Sequence, residues 1–178
     1  MAYKADPGAG QPATIRMVRL ADANGTTVLG ESHQLLFSAT GSFAATIEAP
    51  ALIQHGKWFI LFVAHGNFDS CNYSTEWFRS QRIWSWNSSG GTTFLSSQRT
   101  HLCGPGTADV TSSRVAGQAR IFFNGWVTEH KHVISTTPLP AGVKPQENVN
   151  AARVMYAAVL KFGSDGFTPI LGPYQGQK

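Results

Sequence analysis

Residues Ala119–Ile134 read ARIFFNGWVTEHKHVI, and this stretch decides the fold class. Asn124-Gly125 sits between two apolar runs, IFF and WVT, the preferred composition for a two-residue β-hairpin loop. Such a loop sets Phe123 opposite Trp126, Phe122 opposite Val127 and Arg120 opposite Glu129. An aromatic pair beside the turn and an opposite-charge pair further out favour the same register.

Outward from this hairpin the chain continues to read as short strands and turns. Lys57–His65 (KWFILFVAH) is apolar on both faces and predicts a central strand covered on both sides. Residues 13–20 and 26–29 flank Asn24-Gly25, a second hairpin signal. A further short strand is expected near Leu35–Ser38. Ser42–Ala49 alternates, with Phe43, Ala45 and Ile47 on one face, and Pro50 is expected to end it. Glu76–Trp86 predicts a long aromatic strand with a bend, Thr92–Ser96 a short strand, and Gly104-Pro105-Gly106 a turn. Ala151–Phe162 fits a strand or a capped helix; Ser164-Asp165-Gly166, a hairpin loop into 167–171, favours the strand. Residues 135–150 hold three prolines and no periodicity, and read as a long loop.

The composition agrees. The chain has 178 residues, with 18 Gly, 15 Ser, 15 Thr, 11 Phe and 5 Trp, and only 13% charged residues. Few charges, many hydroxyls and many aromatics suit sheets and turns. The length suits one domain with a real core. The expected fold is all-β: an antiparallel β-sandwich, jelly-roll-like, or a closed β-barrel. Its organisation reads as an extended Pro/Gly-rich arm at 1–12, a single domain at 13–172 and a short tail at 173–178.

Several functions are disfavoured. No apolar run approaches the roughly 18–20 residues of a membrane span. Met1–Gln11 shows no apolar signal segment, which predicts synthesis in the cytoplasm. The net charge of +4 is spread along the chain, so nucleic-acid binding is not required. Cys71 and Cys103 read either as a disulfide or, given no visible signal segment, as two buried thiols in a reducing compartment. No Gly-x-Ser-x-Gly, Ser-x-x-Lys or Gly-rich phosphate loop occurs.

Three constellations remain. His130-x-His132 would present two imidazoles on one strand face, the spacing of a metal pair, with the third ligand unfixed. Ordinary strand histidines are the simpler account, and no cofactor is expected. Glu129 has a ready partner in Arg120, and Asp69 with Glu76 is the sole local carboxylate pair in the aromatic region. Trp77, Arg79, Arg82, Trp84 and Trp86 are the expected binding residues, a row able to stack on sugar rings or anchor a protein partner. Its plain alternative is core.

The architecture points first to a non-enzymatic structural protein: a self-associating capsid, spike or decoration subunit of a viral or phage particle, partnered by itself or by other particle subunits. A lectin-like glycan-binding module using exposed Trp is the alternative, and a His-x-His metalloenzyme the third reading.

Overall fold

A computed structural model describes residues 1–174 apart from 7, 9–10, 23–24, 38–45, 113–117, 131–132 and 136–150. It is nearly all β. Strands β1 (Ala2–Ala5), β2 (Thr14–Leu20) and β3 (Val28–Phe37) form a first antiparallel sheet. A second sheet holds β4 (Ile47–His55), β5 (Trp58–His65), β6 (Ser74–Ser80) and β7 (Thr92–Leu95), in chain order. One turn of helix, α1 (Ser97–Thr100), leads into a third sheet. This comprises β8 (Cys103–Ser112), β9 (Ala119–His130), β10 (Val133–Ser135), β11 (Ala151–Phe162) and β12 (Pro169–Tyr174). Strand β9 lies between β11 and β8, and β12 pairs with β11.

The sheets pack face to face in series. Ile15, Met17, Leu35 and Leu36 of the first meet Leu61, Val63 and Phe78 of the second. On the other side, Ile60, Phe62, Phe94 and Leu95 meet Ile121, Phe123, Tyr156 and Leu160 of the third. β5 is the shared wall. Ile60–Ala64 is fully buried because alternate side chains enter different cores. The antiparallel all-β expectation is met, with three sheets following one another like consecutive blades.

Local readings fare unevenly. The strand at 151–162 and the hairpin into β12 are observed, the latter closed by the Gly163 amide donating to the Thr168 carbonyl at 2.9 Å. The residues 2–5 of the arm are extended and pair with β2. The hairpin turn expected at Asn124-Gly125 is not observed: Ala119–His130 runs straight through it as β9, and the chain pairs back only further on, Val133 facing His130. Both edges of that strand are occupied, Ile121 facing Ala158 on β11 and Val110 on β8. Gly125 serves close packing there, since a Cβ would come within 2.9 Å of Leu102. Arg120 accordingly faces Thr111 and Val159, not Glu129. Of the strand expected at 42–49, residues 42–45 lie outside the described residues; from Ile47 it runs on through Pro50 to His55, with a register shift between Glu48 and Ala51. The Gly104–Gly106 turn is part of irregular β8.

Cys71 and Cys103 are joined as a disulfide, which settles the choice between bridge and free thiols. It ties the loop 66–73 to the start of β8. Among the described residues, no helix is long and apolar enough to cross a membrane.

Candidate functional site

Glu48 lies where β1, β4 and β8 adjoin, and the chain bends to place it. Ala49 has φ +48°, a left-handed conformation that costs an L-residue roughly 1–2 kcal/mol. Thr107 on β8 has φ +53°. Among the described residues the third non-glycine with positive φ is His101, the C-cap of α1. Two of the three therefore flank one side-chain cluster, and stored backbone strain of this kind gathers at functional sites.

The cluster is built around the Glu48 carboxylate. The Tyr73 hydroxyl donates to its Oε1 at 2.8 Å. Lys4 Nζ lies 3.3 Å from its Oε2 and 3.1 Å from Asp6 Oδ2. One ammonium therefore bridges two carboxylates and holds them side by side, and glycoside chemistry also works with a pair of carboxylates. The Glu48 side chain is 24% exposed and the Asp6 side chain 65%, so the pair has an inner and an outer member. Burial alone would lower the Lys4 pKa, but hydrogen bonds to Asp6 and Glu48, with their charges, raise it above its ordinary value.

Glycines make room for Tyr73. Its ring lies against Gly106, where any Cβ would overlap ring carbons, and Gly104 packs equally tightly on the Ser70 carbonyl. Tyr73 is 1% exposed, and burial pushes its phenol well above the ordinary range, with the charge of Glu48 acting in the same direction. The phenol is thus held as a donor. Its oxygen also lies 3.5 Å from Thr107 Oγ1.

Arg153 of β11 closes the other side. Its Nε donates to Asn124 Oδ1 at 2.7 Å, Nη1 to the Phe68 carbonyl at 2.6 Å and Nη2 to Thr107 Oγ1 at 3.4 Å. The guanidinium stands 5.2 Å from the centre of the Tyr73 ring. A cleft of about 420 Å³ opens beside it, lined by Thr107, Asp109, Phe122, Phe123, Asn124, Arg153 and Met155.

The residues expected from sequence lie elsewhere. β6 ends at Ser80, and Arg82, Trp84 and Trp86 sit in the following turn, which Ser80 Oγ ties by donating to the Arg82 and Ser85 carbonyls. The five residues do not form one row. Trp77 packs on the core towards the third sheet, while Arg79 lies 3.8 Å over the Phe167 ring. Trp86 packs towards the first sheet and donates to the Ile83 carbonyl. Trp84, 44% exposed, lies against His33 with the two rings tilted at 56°. Glu76 lies 3.4 Å from His65, each reaching the other rather than Asp69. The side chains of Glu129, His130 and His132 lie outside the described residues. Among those described, no three His, Cys, Asp or Glu side chains gather as a metal site.

Sequence reading missed Asp6, Lys4, Glu48, Tyr73 and Arg153. Their separations explain this: Lys4 and Glu48 are 44 positions apart and Arg153 lies 85 from Phe68. One local signal was present, a carboxylate directly before Ala49-Pro50 in an otherwise regular strand.

No protein-family model and no curated protein sequence matches the chain. Solved structures do. A thermostable family-43 glycoside hydrolase superposes with TM-score 0.63 at 16% identity, over 96% of this chain and 50% of that one. An exo-1,5-α-L-arabinanase from a bovine ruminal metagenomic library gives 0.61 at 21%, over 97% and 56%. The Cellvibrio cellulosa α-L-arabinanase, solved with arabinohexaose, gives 0.62 at 15%, over 96% and 55%. The chain spans about half the length of these structures. The likeness overturns the expectation of a non-enzymatic capsid, spike or decoration subunit. That expectation rested on architecture alone, and the architecture found is one that glycoside hydrolases carry.

Proposed function

We propose that this chain contributes to a carbohydrate-active enzyme that hydrolyses glycosidic bonds, with Glu48 as the proton-transferring carboxylate. One observation carries the reading: Asp6 and Glu48 share the Lys4 ammonium at the junction of the three sheets, beside strained backbone. The fold likeness to glycoside hydrolases supports it. Arabinose-containing polysaccharides are the proposed substrate class, after the arabinanases among those structures.

In this reading Glu48, in its protonated form, gives a proton to the leaving glycosidic oxygen while water adds at the anomeric carbon and releases a proton to Asp6, the second carboxylate of the pair. General acid catalysis of this sort contributes typically 10²–10⁴-fold. Tyr73 fixes Oε1, so the proton is carried on Oε2 once the Lys4 ammonium turns to its second partner, Asp6. Asp6 competes for the same ammonium and so governs how strongly that charge bears on Glu48.

The test is the hydrolysis of α-L-arabinofuranosides that differ only in leaving group. Glu48→Gln should cost on the order of 10²–10⁴-fold in kcat/KM on an alkyl arabinofuranoside. It should cost much less on the dinitrophenyl compound, whose leaving group needs no proton. An equal loss on both, or none on either, removes Glu48 from this role.

A further inference from the structure

Arg153 stands out once the site is laid out. Among the described residues, no carboxylate lies within ion-pair distance of it. It is nonetheless half-buried, and burial lowers its pKa below the ordinary value, opposed electrostatically by the neighbouring Tyr73 and Glu48. Withdrawing a cation from water without a paired anion is costly, and the rings of Phe68, Tyr73 and Trp126 around it offset part of that cost. What the guanidinium does make is a set of directed bonds. It takes Asn124 on β9, the Phe68 carbonyl in the loop 66–73 and Thr107 on β8. Trp126 Nε1 donates to the same Phe68 carbonyl at 2.8 Å, which fixes that loop from a second direction. The loop leads to Tyr73, and the guanidinium lies alongside the Tyr73 ring. Tyr73 in turn holds Glu48 Oε1.

We propose that Arg153 is a positioning residue that acts on Glu48 through Tyr73, its fork clamping loop 66–73 and Thr107 so that the phenol keeps one Glu48 oxygen fixed. The inference rests on the reading of Glu48 as the proton-transferring group. A planar fork with three fixed bonds cannot be reproduced by a lysine, which keeps the charge and loses the geometry.

The experiment is a double-mutant cycle of Arg153→Lys and Tyr73→Phe, read in kcat and KM on an alkyl arabinofuranoside. Each single variant should lower kcat by about ten- to a hundredfold, the scale of a misplaced catalytic group, with KM changed less than about twofold. The double variant should be no slower than Tyr73→Phe, because the two residues act in one chain. Multiplying losses, or a loss confined to KM, overturns the proposal. A second readout does not depend on turnover: the Tyr73 hydroxyl, buried and bonded, should give a slowly exchanging proton resonance that disappears in Arg153→Lys. Persistence of that resonance also overturns the clamp. If the unaltered protein hydrolyses none of these glycosides, the functional reading fails, and the resonance still decides the clamp. Should Arg153→Lys not fold by circular dichroism, Arg153→Gln keeps a planar amide and takes its place in every arm.

Discussion

Ala49 and Thr107 hold conformations that L-residues avoid, and each neighbours a group of the site. The strain at Ala49 re-aims the strand between Glu48 and Ala51, where the pairing with β5 shifts register. Ala49→Gly should therefore not destabilise the fold. Relief of roughly 1–2 kcal/mol is offset in part by the glycine's extra chain entropy, leaving a gain of up to about 1 kcal/mol. Turnover should nevertheless fall, because the carrier of Glu48 becomes looser. Urea midpoints and kcat measured on one preparation check both halves. Gly106→Ala should act oppositely. Its methyl group would enter the Tyr73 ring, and overpacking of that kind costs about 1–3 kcal/mol. A lower midpoint together with loss of the Tyr73–Glu48 bond is expected.

At the scale of elements, the loop 66–73 and strand β8 form one unit. The disulfide Cys71–Cys103 spans 32 residues and joins them. The Ser97 hydroxyl ties the same place, donating to the Cys71 carbonyl and accepting from the Gly104 amide. Closing a loop of this length stabilises by roughly 3–4 kcal/mol in the chain-entropy model. Cys71→Ala with Cys103→Ala should lower the unfolding free energy by about that amount. The intact protein under strong reductant should follow the variant, as read by urea titration. Strand β9 shows how an element can be misread from its own residues. Asn-Gly between aromatic runs is a turn signal in isolation. In the fold Asn124 Oδ1 accepts from Arg153, and Gly125 leaves space for Leu102. Pairing along both edges outweighs a local turn preference.

For the whole molecule, β5 supplies both cores, so the three sheets should unfold together. Leu61→Ala opens the first interface and Phe62→Ala the second. Each should cost several kcal/mol, about 2–5 for the leucine and 3–5 for the phenylalanine. A single unfolding transition in every variant is expected by calorimetry, and two separated transitions would show that the sheets fold apart. Alkaline behaviour is also set globally. Lys4 and Tyr73 both have folded pKa values raised above their ordinary 10.5 and 10.0. The unfolded chain then releases these protons first, so stability is full below about pH 10 and declines as pH rises through the folded values. Tyr73→Phe should flatten that decline, as measured by melting temperature against pH.

The sequence by itself determined the all-β class, the buried strand at 58–65 and the β11–β12 hairpin. These follow from composition, from two-sided apolar runs and from turn residues, all of which act within a few neighbours. Tertiary structure decided the straight course of β9, the splitting of Trp77–Trp86 between two faces, the disulfide and the Asp6–Lys4–Glu48–Tyr73–Arg153 cluster. Those depend on which strands become neighbours. Sheets bring together side chains forty to ninety positions apart, and no local pattern records which pairs will meet.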